Sequence, residues 1–160
     1  RYPGDCKSNL STVLLYIEDL GENQSCYLKE RYMINTISTW HQIVKERNES
    51  ALDQLLSDDV VFYSPVVHTP QPGKKITTLY LSAAFHVFIN DTFHYVRELT
   101  TANDAVLEFE VEIDGIMVNG IDMIRWNEEG KIVEFKVFVR PLKAINLIHQ
   151  KMAELLERGR

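Results

Sequence analysis

Residues Asp104 to Pro141 read DAVLEFEVEIDGIMVNGIDMIRWNEEGKIVEFKVFVRP, and the period of this stretch decides the fold. Leu107, Phe109, Val111 and Ile113 alternate with Glu108, Glu110 and Glu112, as in a strand with one buried face. Asp114-Gly115 follows, a two-residue hairpin turn in which both residues tolerate positive φ. A loop of that length fixes the register: Ile113 faces Ile116, Val111 faces Val118, Phe109 faces Gly120 and Leu107 faces Asp122. Asn127-Glu128-Glu129-Gly130 suits a type I turn closed by a left-handed glycine. Pairing Trp126 with Lys131 then sets Ile124 against Val133 and Asp122 against Phe135. All three strands agree on one apolar face, and Asp122 stands in its middle.

A carboxylate in that position is expensive. Burying an ionised group without a partner costs several kcal/mol, so it is hydrogen-bonded or protonated with a raised pKa. A slip of one residue would turn Asp122 outward, but Ile116, Val118, Ile124 and Trp126 would turn with it. Two readings stay open: a buried Asp satisfied by backbone or a neighbouring donor, and a protonated or polarising acid inside a ligand cavity.

The surroundings are those of an ordinary globular domain. A chain of 160 residues with 45% hydrophobic and 25% charged residues suits one domain with a substantial core. A formal charge of −6 argues against nucleic acid or an anionic membrane surface as partner. No apolar run approaches the roughly 20 residues of a bilayer span. The chain opens on Arg1, with no charged-then-apolar leader in view. Cys6 and Cys26 lack metal-ligand or C-x-x-C spacing, and sequons occur at Asn9, Asn23, Asn48 and Asn90. The expected compartment is the cytoplasm, with secretion, and pairing of the two cysteines, as the alternative. No His, Asp or Cys cluster has ligand spacing and no Gly-rich phosphate loop occurs, so neither metal nor cofactor is expected.

Ahead of the strands lie mostly helices. Residues 8–21 form one amphipathic stripe, and a second helix runs from about Ser25 to Glu46 with Met33, Ile37, Trp40 and Val44 on its buried face. A short helix is expected over Ala51–Ser57, a strand over Asp59–Tyr63 and a loop from Val66 to Lys75 that contains His68. Ile76–Ile89 is helical, with Tyr80, Ala83 and Val87 inward and His86 on a polar stripe. Phe93–Thr100 is a strand of mixed parity that cannot be oriented. After Pro141 a last helix carries Ile145, Ile148, Met152 and Leu155 on one face, with His149 at the surface. The fold class is α+β: five strands in a strongly curved, antiparallel-rich sheet, forming a cone around the N-terminal helices. Gly120, inside the middle strand, permits the bend.

From about Ile34 to Leu142 the chain resembles the nuclear-transport-factor-2-like superfamily of cystatin-like architecture, and more closely its SnoaL-like branch, home of ketosteroid isomerase and small polyketide cyclases. The resemblance rests on Leu56-Ser57-Asp58-Asp59-Val60-Val61-Phe62-Tyr63-Ser64-Pro65, on Gly73 before a helix, and on Gly120 to Asn127 before Gly130-Lys131-Ile132-Val133. It implies an extension over residues 1–30, the domain proper over 31–142 and a C-terminal helix, 143–160, on the same domain. It also implies that Asp122 matches the acid of the isomerase's oxyanion hole, kept neutral by its apolar site, and that Trp40 matches the phenol beside it. Ser64 stands where the isomerase has its general base, and His68 is the nearest group on that rim with a suitable pKa. The implied cavity is lined by Leu107, Phe109, Val118, Ile124, Trp126, Phe135, Val137 and Tyr63, and holds a small apolar or aromatic ligand. Isomerase-, cyclase- or lyase-type proton transfer is the chemistry it would serve. The alternative is a non-catalytic binding or dimerisation module; on either reading a homodimer is expected, through an outer sheet face bearing Met117, Ile121, Met123, Ile132 and Phe138.

Overall fold

The computed structural model describes residues 36–158. Strand β4, Asp104–Ile113, buries every second residue from Ala105 to Ile113, and β5, Ile116–Trp126, does the same from Val118 to Trp126. Asp114 at φ 50° and Gly115 at φ 74° form the turn between them. The four expected cross-strand pairs are all present, including Phe109 with Gly120 and Leu107 with Asp122.

Strand β6, Ile132–Arg140, departs from the expected register: Asp122 stands opposite Val137, and Ile124 opposite Phe135. Two features cause this. Asn127 N–H donates to the Lys131 carbonyl at 2.9 Å, and its Oδ1 accepts from Lys131 N–H at 2.9 Å, so the turn takes in Lys131 and Trp126 pairs with Ile132. A bulge next to Trp126 then leaves Val133 as an extra residue on β6. For Asp122 the two steps sum to an even shift, so it keeps its face. Ile132, expected on the outer face, is instead fully buried against Trp126.

The six strands run in the order β2-β1-β6-β5-β4-β3, an open and curved sheet in which β1, Leu56–Tyr63, lies parallel to β6. One strand more than expected is present, because Gln71–Pro72, in the stretch read as loop, pairs with β1 as β2. Strand β3 covers His94–Thr100. Helix α1 is described over 36–46 and buries Ile37, Trp40 and Val44 on its expected face. A 3-10 turn, Glu49–Ala51, leads into one turn of helix, α2, Leu52–Leu55. The short helix therefore ends early, since Leu56 already begins β1. Helix α3 spans Lys74–Phe88 and helix α4 spans Leu142–Arg158.

Two apolar clusters fill the concave side. In one, α1 and α2 meet Leu107, Ile124, Trp126, Ile132 and Phe135 of the sheet. In the other, Ala144, Ile148 and Met152 of α4 meet Phe109, Val111 and Val118, with Val87 and Phe88 of α3 between. Each fully buried side chain of this size contributes about 1.5–3 kcal/mol. Residues 1–30, Met33, both cysteines and the sequons at Asn9 and Asn23 lie outside the described residues. No helix among the described residues is long and apolar enough to cross a membrane.

Candidate active site

The seam between the two clusters is where the polar groups gather. Asp122, 7% exposed, is the only buried carboxylate among the described residues. Its Oδ2 accepts a long hydrogen bond, 3.4 Å, from the hydroxyl of Tyr95, which in turn accepts 2.9 Å from Trp40 Nε1. An indole N–H only donates, so the Tyr95 proton is left to point toward Asp122. Burial pushes the Asp122 carboxyl from 3.8 up to about 7, opposed by the Tyr95 hydrogen bond. Burial first, and then the nearby Asp122 charge, raise the Tyr95 phenol well above its usual range, so it stays a neutral donor.

Tyr95 is the group that sequence reasoning missed. Its strand pairs Tyr95 with Phe109 but Arg97 with Glu108, so Val96 is bulged out and the parity changes midway. The mixed pattern of 93–100 is that bulge. Phe93 and Tyr95 share a parity ahead of it, which is the one signal the sequence offers. The two rings meet edge to face at 5.2 Å.

A cavity of about 40 Å³ opens beside Asp122, walled mostly by rings, among them Phe62, Phe85, Phe88 and Phe93. Of the residues singled out from the sequence, Asp122, Trp40, Phe109, Phe135 and Val137 line it. The structure places the others elsewhere. Leu107, Ile124 and Trp126 face inward but are covered by α1 and α2, and Val118 by α4. Tyr63 lies under Lys136, whose Nζ sits 4.5 Å from its ring centre. His68 is exposed in the loop between β1 and β2, outside the cavity lining. Ser64 Oγ accepts from the Val66 N–H at 3.2 Å and brings no base to the rim. Among the described residues no cluster of three His, Cys, Asp or Glu side chains could hold a metal.

Residues 37–135 match the model of the SnoaL-like domain. Among solved structures, a steroid delta-isomerase from Pseudomonas aeruginosa is 33% identical, with a TM-score of 0.76 over 80% of this chain and 93% of that one. An uncharacterised protein with a cystatin-like fold from Silicibacter pomeroyi is 30% identical, with a TM-score of 0.71 over 76% of this chain and 85% of that one. A nuclear-transport-factor-2-like protein of unknown function from Mesorhizobium loti, 17% identical, shares the fold alone, with a TM-score of 0.60 over 69% of this chain and 93% of that one. No protein of curated function matches the chain.

Proposed function

Because the chain belongs to the SnoaL-like domain family, we propose that it binds a small apolar or aromatic ligand beside Asp122 and acts on it by proton transfer, as an isomerase, cyclase or lyase does. The observation that carries this reading is the Trp40–Tyr95–Asp122 chain, which ends at a cavity otherwise walled by carbon. With Oδ2 engaged by Tyr95, Oδ1 is the oxygen left to carry the proton of the neutral acid. From there it donates to a carbonyl or hydroxyl of the ligand and, as charge builds on that oxygen, the hydrogen bond strengthens. A carboxyl titrating at about 7 is also poised near neutral pH to give and take a proton.

The reading stops short of steroid isomerisation. Ser64 occupies the position that resembles that enzyme's base, and a serine held by a backbone N–H cannot shuttle a proton between carbons alone. Size points the same way, since about 40 Å³ is room for roughly three waters. A larger ligand enters only by moving a ring of the wall.

Cyclohexanone titrated into the protein, followed by the Trp40 indole N–H in NMR, tests this. Binding should occur in the parent and be lost in Asp122→Leu, while Asp122→Asn, which keeps a donor of the same size, still binds it. Equal cyclohexanone binding by the parent and Asp122→Leu would remove Asp122 from the site.

We also propose that the chain pairs with a second copy through the outer sheet face. Met117, Met123 and Phe138 are 53%, 39% and 50% exposed there. Ion pairs of both signs surround them, Arg97 with Glu108 and Arg125 with Asp104. Mixed charge around apolar groups suits a self-complementary contact. Light scattering at micromolar concentration should give a dimer that Ile121→Glu splits; a monomeric parent would overturn the pairing.

A further inference from the structure

Outside the ring-walled cavity lies a second, wider hollow of about 400 Å³. Val44, Ile89, Phe93 and Tyr95 line both, so the hollow is the vestibule of the cavity and these four side chains are the threshold. The vestibule has a different chemistry. Its lining holds Lys45, Arg47, His41 and His94 against one carboxylate, Asp91, on a chain whose formal charge is −6.

The basic side chains are not equally engaged. His41 Nε2 lies 3.0 Å from Glu98 Oε1, and His94 Nδ1 lies 2.8 Å from the Thr92 carbonyl. Lys45 and Arg47 have no ion-pair or hydrogen-bond partner for their side chains among the described residues. Arg47 is also held in an unusual way. Helix α1 ends with Arg47 N–H on the Val44 carbonyl at 3.3 Å and Asn48 N–H on the Ile43 carbonyl at 3.0 Å. This pair of bonds calls for a left-handed residue, which is ordinarily glycine. Here it is Arg47, at φ 52°. Positive charge near a helix C-terminus complements the dipole, which accounts for Lys45 but not for a long side chain at a position where glycine is preferred. A strained residue on the rim of a cavity is a pointer to function.

Resting on the ligand-binding reading of the cavity, we propose that the ligand is an amphipathic monocarboxylic acid: its apolar end lies beside Asp122 and its carboxylate is held in the vestibule by Lys45 and Arg47. A guanidinium and an ammonium on one rim suit a carboxylate. Asp91 in the lining and Glu98 on His41 keep the field small, so a single negative charge is favoured over a phosphate dianion.

The test uses 4-phenylbutyrate and its neutral amide, 4-phenylbutyramide, by calorimetry at low ionic strength. The acid should bind roughly five- to tenfold more tightly, as expected for charge-assisted contacts at a solvated rim. Its advantage should vanish near 1 M salt, where the screening length is about 3 Å. Lys45→Ser combined with Arg47→Gly should bring the acid down to the affinity of the amide. That variant keeps the fold, because glycine is the residue the helix end prefers. Amide bound as tightly as acid by the parent, or an acid preference surviving in the double variant, overturns the head-group site and leaves the cavity reading intact. If neither compound binds or moves the Trp40 indole signal, the cavity reading falls and the head-group site with it.

Discussion

Gly120→Val should destabilise the fold by about 3 kcal/mol or more, and Gly120→Ala by about 1–3 kcal/mol, the range for forcing extra carbon into a filled core. A Cβ on Gly120 would collide with Phe109 Cζ and stand only 2.7 and 2.8 Å from its Cε1 and Cε2. The ring cannot step aside freely. Phe88 packs on it edge to face at 5.6 Å and Phe93 leans on it at 5.4 Å. Valine has the higher strand propensity, worth up to ~1 kcal/mol, which the clash outweighs. For a chain of this length the loss corresponds to roughly 6–12 °C in Tm. Phe109→Leu, which shortens the obstructing side chain, should reduce the cost of Gly120→Val when the two are combined. A neutral Gly120→Val in thermal melts would mean that the aromatic ring does not need the space the glycine leaves.

That contact also shows what is legible in the sequence. Alternation in β4 and the Asp114-Gly115 turn together fix which residue faces which, so Phe109 over Gly120 and the inward Asp122 can be read without coordinates. The β5–β6 pairing cannot, because the bulge at Val133 has no period and no marker residue. Ile132 lies inside rather than outside because the turn takes in Lys131, and the parity expected beyond it is restored only by that bulge. The same cause hides Tyr95, whose strand changes parity at Val96.

Facing inward is a poorer guide to the cavity than to the core. Leu107, Val118, Ile124 and Trp126 all point to the concave side, yet helices cover them. Where no helix presses down, a void remains, and the position of that seam depends on how α1, α3 and α4 seat against the sheet. A strand pattern carries no record of this. Trp40 and Phe135 reach the seam because their rings, 4.9 Å apart, meet across it.

Asp122→Asn should separate the acid's effect on stability from its effect on the ligand. Burial raises the folded carboxyl from 3.8 to about 7. Above about 7 the group is ionised in folded and unfolded chains alike, and adds nothing that varies with pH. As pH falls through that value the folded protein takes up the proton first, so stability climbs, and it levels off below the unfolded value of 3.8. At about 1.4 kcal/mol per unit, the whole rise is on the order of 4 kcal/mol. An asparagine has no such arm. Near pH 8 the variant should therefore be the more stable protein, since the parent holds a buried carboxylate with one long hydrogen bond, and toward pH 4 the parent should draw level. Denaturant melts of both proteins across this range give the difference curve, in which every other titrating group cancels. Asparagine still donates a hydrogen bond, so cyclohexanone should bind nearly as before, but it has no proton to transfer, so turnover should fall without a matching change in Kd. Parallel stability curves, or a carboxyl carbon of Asp122 titrating at or below 3.8 in NMR, would mean that Asp122 is ionised and held by Tyr95, and the neutral-acid mechanism would fail.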